Sequence, residues 1–462
     1  MATPTIAEAL RGFADRSLSP RELVHDCLDR AQRLNPLIHA FIRFTREAAM
    51  VAAAESEARW MAGAPMGPLD GIPIAHKDIY ETAGVPTTGH SRVLLDNTPT
   101  EDAAVVRLWK QAGAISLGKL ATHEFAWGGP SFDLPWPPAR NPWDITRFTG
   151  GSSSGTGAAV AAGVILGGTG SDTGGSIRMP GALCGVAGIK PTYGLCSRVG
   201  VLPLASSLDT TGPLAWTVED CALLLQAMVG HDPRDPSSAD RPAPDVLTGL
   251  GDGVKGLRIG VIRNFHETDL PVSAAMQGAI DTAVAALREA GAEIGDALLP
   301  PLDDFNAAGW LILATEAFTA HEPWLRTRFR DYGEFLRERL AVAATVSGAD
   351  YIQAQRRRRE LNAAVSGEMK RFDILLTAGA PGEARPIEQM TKWASFEGPN
   401  FTMPFNLTGQ PGLVVNCGFS PAGLPLGVQL VGRPFEDALV LRAGHALEGA
   451  LALRTQRPKL PV

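Results

Sequence analysis

Long apolar runs are absent. No stretch of the 462 residues reaches the ~18 uninterrupted apolar positions that a membrane-spanning helix needs, and the opening MATPTIAEALRGFADRSLS lacks the apolar core of a signal peptide. The expectation is a cytoplasmic chain with no membrane partner. Cysteine is scarce too: Cys27, Cys184, Cys196, Cys221 and Cys417 are odd in number and form no CxxC pair. That argues against a disulfide framework and fits free thiols in a reducing compartment. Basic charge is in deficit, 42 Lys and Arg against 49 Asp and Glu, which leaves a net charge of -7 and no electrostatic stripe for nucleic acid. The one basic run, Arg356–Arg359, reads as a solvated helix face.

With 45% apolar and 20% charged residues, the chain has the composition of a globular α/β protein able to build one large core. Apolar positions recur at helical spacing through residues 5–60, where Ser19-Pro20 supplies a cap and a first-turn proline, and an Ala-rich helix follows from about Thr45 to Met61. GIPIAHKDIY reads as a short buried strand; AAVVRLWKQAGAISLGKL reads as a helix and then a strand. Helices alternate with strands over 215–380, residues 231–245 form a Pro/Asp-rich surface loop, and the close gives two strands turning at Ala422-Gly423 before a last helix near 436–450. The expected organisation is one domain over 1–462: N-terminal helices (1–62), a catalytic core (70–215), variable substrate-side helices (216–400) and C-terminal strands with a helix (401–462). Residues 150–200 stand apart, because 15 of these 51 positions are glycine, more than four times the ~7% of average usage.

Three chemistries compete for that glycine-rich segment. Phosphate binding fails on the residues: no lysine follows the glycines as a Walker loop requires, and Gly168, Gly170 and Gly174 are one position out for a dinucleotide fingerprint. A nucleophile elbow matches G-x-S-x-G with Ser153 central, but it needs a downstream histidine, and His445 sits in a regular helical pattern. The third chemistry activates serine without histidine. Lys77, flanked by apolar residues that would desolvate its ammonium, could serve as base for the serine cluster Ser152–Ser154. The loop Asp172-Thr173-Gly174-Gly175-Ser176 would present successive backbone N–H groups to an oxyanion. The competing structural reading of Lys77 is a surface lysine paired with Asp78.

GGSSSGTGAAVAAG, GSDTGGSIRMPGALCGVAGIKPTYG, GPLDGIPIAHKDIY and GLPLGVQLVGRPFED together resemble the amidase signature family of serine hydrolases. The resemblance covers most of the chain and is weakest over 231–395. It implies one α/β domain with a mixed central sheet wrapped by helices, no cofactor and no metal. It implies a triad as well: Lys77 as base, Ser152 as proton relay behind a cis peptide with Gly151, and Ser176 as nucleophile, at intervals of 75 and 24 residues. Thr173, Gly174, Gly175 and Ser176 would supply the oxyanion N–H groups, with Gly151 beside them in the substrate-binding set. Ser153 and Ser154 are then loop and helix-start hydroxyls capping backbone N–H groups.

The resemblance implies hydrolysis of the C–N bond of small amides, anilides, carbamates or urethanes through an acyl-enzyme, with substrate and water as the reaction partners and a homodimer compatible with it. A second branch is the glutaminase (A) component of a glutamyl-tRNA amidotransferase complex, in which Arg358 stands where an amino-acid-gripping arginine is expected, while the acid expected before Phe401-Thr402 is missing, EGPN offering only Glu397. An inactive binding scaffold, or an esterase using Ser153, are the remaining alternatives. Trp310, Phe318, Trp324, Trp393 and Phe396 are candidates for an apolar pocket, and PWPPARNPW for the rim of its entrance.

Overall fold

A computed structural model describes residues 3–460. Eleven strands form one mixed sheet: β1 (Phe41–Phe44), β2 (Pro73–Lys77), β3 (Ile115–Leu120), β4 (Gly167–Asp172), β5 (Ala187–Lys190), β6 (Thr210–Ala215), β7 (Arg258–Ile262), β8 (Glu293–Ala297), β9 (Ile374–Ala378), β10 (Gly412–Phe419) and β11 (Pro425–Val431). Their order across the sheet is β1-β3-β2-β4-β6-β5-β10-β11-β9-β7-β8. β2 runs parallel to both β3 and β4, β7 runs parallel to β8 and β9, and the remaining pairs are antiparallel. This is the expected α/β class with a mixed central sheet.

Local chemistry explains most of the elements. The Ser19 side chain accepts the N–H groups of Arg21 and Glu22 and caps the helix Pro20–Ile38, as Ser-Pro predicts. The strand Phe41–Phe44 interrupts a region that periodicity assigns to helices. His39 stops the helix in the left-handed region at φ 47°, and the Asn35 side chain bonds both the N–H (2.8 Å) and the carbonyl (3.0 Å) of Phe41, turning the chain onto β3. In β2 all five residues are buried, the pattern of a parallel strand covered on both faces. Lys77 is therefore delivered to the strand's C-terminal end inside the protein.

Candidate active site

Three segments converge at the C-terminal ends of β2 and β4. β2 carries Lys77, the loop before the helix Ser154–Ala161 carries Ser152, and the loop between β4 and the helix Arg178–Cys184 carries Ser176. Lys77 is fully buried. Its Nζ lies 2.7 Å from Ser152 Oγ, 3.1 Å from Ser153 Oγ and 2.8 Å from Ser171 Oγ, with no carboxylate in ion-pairing range among the described residues. Asp78 instead pairs with Lys119 at 3.5 Å, which removes the surface-lysine reading of Lys77. Burial pulls the Lys77 ammonium down to about 7, with the charges of Asp172 and Asp209 pulling the other way.

Ser152 follows a cis peptide bond with Gly151. Its carbonyl accepts the N–H of His123 (3.1 Å) and the hydroxyl of Thr122 (3.0 Å). Gly151 has to be glycine, because a Cβ there would stand 2.1 Å from the His123 ring. Ser153 meets its assignment as a capping hydroxyl only in part. It caps no N–H of the helix that follows, but its Oγ accepts the backbone N–H of Ser171 (3.3 Å) and reaches Lys77 and the carbonyl of Ser171 (3.4 Å). The reason is geometric: the turn into the helix directs this side chain inward, onto Lys77 and the Ser171 backbone. No histidine is its partner among the described residues, which leaves the elbow reading without a base.

The loop 172–178 is held by a buried ion pair. Arg178 donates to both carboxylate oxygens of Asp172 (3.0 and 2.9 Å), to Asn406 and, across the sheet, to Gln429 (3.0 Å). Burial alone would raise the Asp172 carboxyl; Arg178 holds it well below the usual carboxylate range. Asp172 also takes the N–H of Gly175 (2.8 Å), so this amide is not available to an oxyanion, and the expected set of four donors narrows to Thr173, Gly174 and Ser176. Gly175 sits at φ 130°, and a Cβ there would meet Thr402 Oγ1 at 2.1 Å.

Ser152, Thr173, Gly174 and Ser176 all line one cavity of about 170 Å³. Its other walls are mainly apolar, with Trp127, Phe148, Trp310 and Leu313 prominent. Trp310 is thus a wall, while Phe396 packs behind it and against Trp127. Phe318 and Trp324 belong to the packing around the core, and Trp393 stands against Phe396. The PWPPARNPW segment does not rim this cavity: Trp136 packs on His90, and Trp143 donates to Cys184 carbonyl and packs on Phe419.

Arg358 is not at the cavity. Its guanidinium donates to the Leu407 carbonyl (2.6 Å) and to the Ser207 hydroxyl (3.2 Å) and carbonyl (3.0 Å). The arginine that lines the cavity is Arg339, from the helix Glu334–Ala343, well outside the basic run at 356–359. A signal for it is present in the sequence: Leu336, Arg339, Leu340 and Ala343 fall at i, i+3, i+4 and i+7, which places an arginine on the buried stripe. Arg339 donates to the carbonyls of Lys392 (2.8 Å from Nε) and Trp127 and forms no ion pair among the described residues. Burial lowers it to about 10, so it stays cationic at neutral pH.

A family model described as Amidase matches residues 22–441. The chain is 39% identical, over 99% of both chains, to the A component of the glutamyl-tRNA(Gln) amidotransferase of Chloroflexus aurantiacus. A solved inhibitor-bound complex, described as a vestigial protein complex that reveals the evolutionary origins of an s-triazine catabolic enzyme, superposes with a TM-score of 0.91 at 33% identity over 99% of this chain and 100% of that one. Peptide amidase from Stenotrophomonas maltophilia superposes at 0.87 and 29% identity, over 100% and 99% of the two chains.

Proposed function

The chain belongs to the amidase signature family, and from that premise we propose that it is an amidohydrolase in which Lys77 is the base, Ser152 the relay and Ser176 the nucleophile. The observation that carries this is a buried lysine whose Nζ lies 2.7 Å from a serine that shares a cavity with a second serine. A neutral lysine has one lone pair and two N–H bonds. Ser153 Oγ lies 3.4 Å from the Ser171 carbonyl; with its hydrogen given to that carbonyl, this oxygen accepts one Lys77 N–H, Ser171 Oγ accepts the other, and the lone pair is left for the proton of Ser152. Ser152 in turn takes the proton of Ser176 as its oxygen attacks the carbonyl carbon. The N–H groups of Thr173, Gly174 and Ser176 face the charge that develops on the substrate oxygen. The proton returns through Ser152 to the leaving nitrogen, and water cleaves the acyl-enzyme by the same path. Ser176→Ala should abolish both turnover and labelling by a fluorophosphonate; retained labelling would refute the assignment.

The acyl group is read from the cavity's one charge. A guanidinium buried without a carboxylate calls for an anionic or strongly accepting substrate group, because an unmatched buried charge is costly. We therefore favour a small amide that carries a carboxylate. A second reading, the glutamine-hydrolysing component of an amidotransferase with partner chains, is supported by the 39% identity to the A component of a glutamyl-tRNA(Gln) amidotransferase and is favoured by similarity over unsubstituted apolar amides or carbamates. Glutamine would satisfy Arg339, but its ammonium finds no acidic side chain in the cavity among the described residues: Pro399 and Asn400 stand before Phe401, and Glu397 is exposed beside Arg385. Ammonia release from glutamine against glutaramate, its analogue without the amine, separates the readings. A preference for glutaramate supports the first; a preference for glutamine supports the second.

A further inference from the structure

Trp127 lines the cavity that holds Ser176 with only 5% of its surface exposed, and its indole Nε1–H has no acceptor among the described residues. Trp60, Trp109, Trp143 and Trp216 each give theirs to a backbone carbonyl, at 2.9 to 3.2 Å. An indole N–H can only donate, and a buried donor left open is costly unless a ligand supplies the acceptor. The backbone is bent to place it there. Phe125 and Ala126 stand at φ 44° and 65°, the one place among the described residues where two successive non-glycine residues take the left-handed region. Such a conformation persists only where its surroundings enforce it. Here the Phe125 ring packs on His321 and Trp324, with centroids 4.6 and 5.6 Å away. The Glu124 carboxylate takes the Gly333 N–H (3.0 Å), which ties the turn to the start of the helix Glu334–Ala343. The turn thereby brings the Trp127 carbonyl onto the Arg339 guanidinium, and the Phe396 ring packs on both residues, 6.3 Å from the indole and 5.4 Å from Arg339 Cζ.

We infer that Trp127 is a second specificity-determining residue for the acyl half of the substrate, its indole N–H and the Arg339 guanidinium binding one substrate carboxylate together. The inference rests on the reading that Arg339 receives a carboxylate, and it adds the donor that makes the site choose this group over others. Indole and guanidinium belong to one wall, and both only donate. A carboxylate has two oxygens and no hydrogen, so it serves both donors with nothing left unmatched. A carboxamide offers one oxygen for two donors, and an apolar tail leaves the indole N–H unpaired beside a buried charge.

The test compares glutaramate with 5-methylhexanamide, its apolar isostere. Trp127 is replaced by Phe and, separately, by benzothienylalanine, which keeps both rings and exchanges the N–H for sulfur. With benzothienylalanine, kcat/KM for glutaramate should fall about tenfold, the worth of a hydrogen bond to a charged group, while that for 5-methylhexanamide stays within about twofold. Trp127→Phe should show the same selectivity. The loss should appear in KM, because a group remote from the reacting carbonyl binds substrate and transition state alike. In the Arg339→Met enzyme the same exchange should cost about threefold or less, since the carboxylate is no longer held against the indole. Fluorophosphonate labelling of Ser176 confirms that each variant is folded. Equal losses for the two amides, or none for either, overturn the role of the indole and leave the carboxylate reading standing. An unmodified enzyme that does not prefer glutaramate to its isostere, or cleaves neither, sinks that reading and this inference together.

Discussion

The two sides of the small cavity are built in opposite ways. On the side of β2 and β4, Lys77, Ser153, Asp172 and Arg178 form a buried polar network in which each group has its partner. On the side of the helices Leu302–Arg328 and Glu334–Ala343, Trp310 and Arg339 face the cavity, the cation without a counter-ion among the described residues. A closed network holds reacting atoms in one geometry; a cation held only by backbone carbonyls and a ring keeps its charge for a ligand. On the proposed reading, chemistry belongs to the first side and selection to the second.

Substitutions can break that division. The largest effect is expected from Lys77→Met, a loss of at least about 10³-fold in kcat/KM as the proton acceptor disappears. Gly175→Ala comes next. With φ at 130° and Thr402 Oγ1 2.1 Å from the new Cβ, the loop must move, and a loss of about 10²-fold for every substrate alike is expected in steady-state assays. Arg339→Met should act selectively, lowering kcat/KM for a carboxylate-bearing amide by about 30-fold relative to a neutral amide of equal size, the cost of one charge-assisted contact. An equal loss for both amides would erase the proposed division. Ser153→Ala should cost about tenfold, since it frees one Lys77 N–H without removing the base.

The pH dependence sharpens the same comparison. Because Lys77 is held at about 7 and acts unprotonated, activity should climb as pH rises through 7 and fall as the amine is protonated below it. Arg339 remains cationic over that range. An acid limb therefore belongs to the chemistry side, and it should be identical for carboxylate-bearing and neutral amides when kcat/KM is measured from pH 5 to 9.

The chemistry side is the legible one. Lys77, Ser152 and Ser176, separated by 75 and 24 residues, each lie in a short glycine-bounded segment, and the family motifs that these segments resemble are plain although their composition alone leaves three chemistries open. The helix pattern over 274–289, the strand at 258–262 and the final hairpin at Gly423 are equally plain from periodicity and turn residues. The selection side is not. Arg339 reaches the cavity because the helix Glu334–Ala343 packs one particular stripe inward, and a run of four arginines at 356–359 draws notice to the wrong helix. The donor set of the loop 172–178 is hidden for a different reason. Which backbone N–H groups stay free depends on how the Asp172 carboxylate turns, and Arg178 decides that from within the fold.

The position of β10 and β11 bears on how the protein is made. Residues 412–431 fill the middle of the sheet, between β5 and β9, and Gln429 of β11 holds the arginine that steadies the Ser176 loop. A nascent chain with β1 to β6 already synthesised would present β5 as an open apolar edge until residues 412–414 of β10 have left the ribosome, and β10 in turn stays open until β11 follows. The loop that carries Ser176 thus gains the Gln429 contact of Arg178 only after β11 is made. A chain cut before residue 425 should be insoluble and inert even though Lys77, Ser152 and Ser176 are all present.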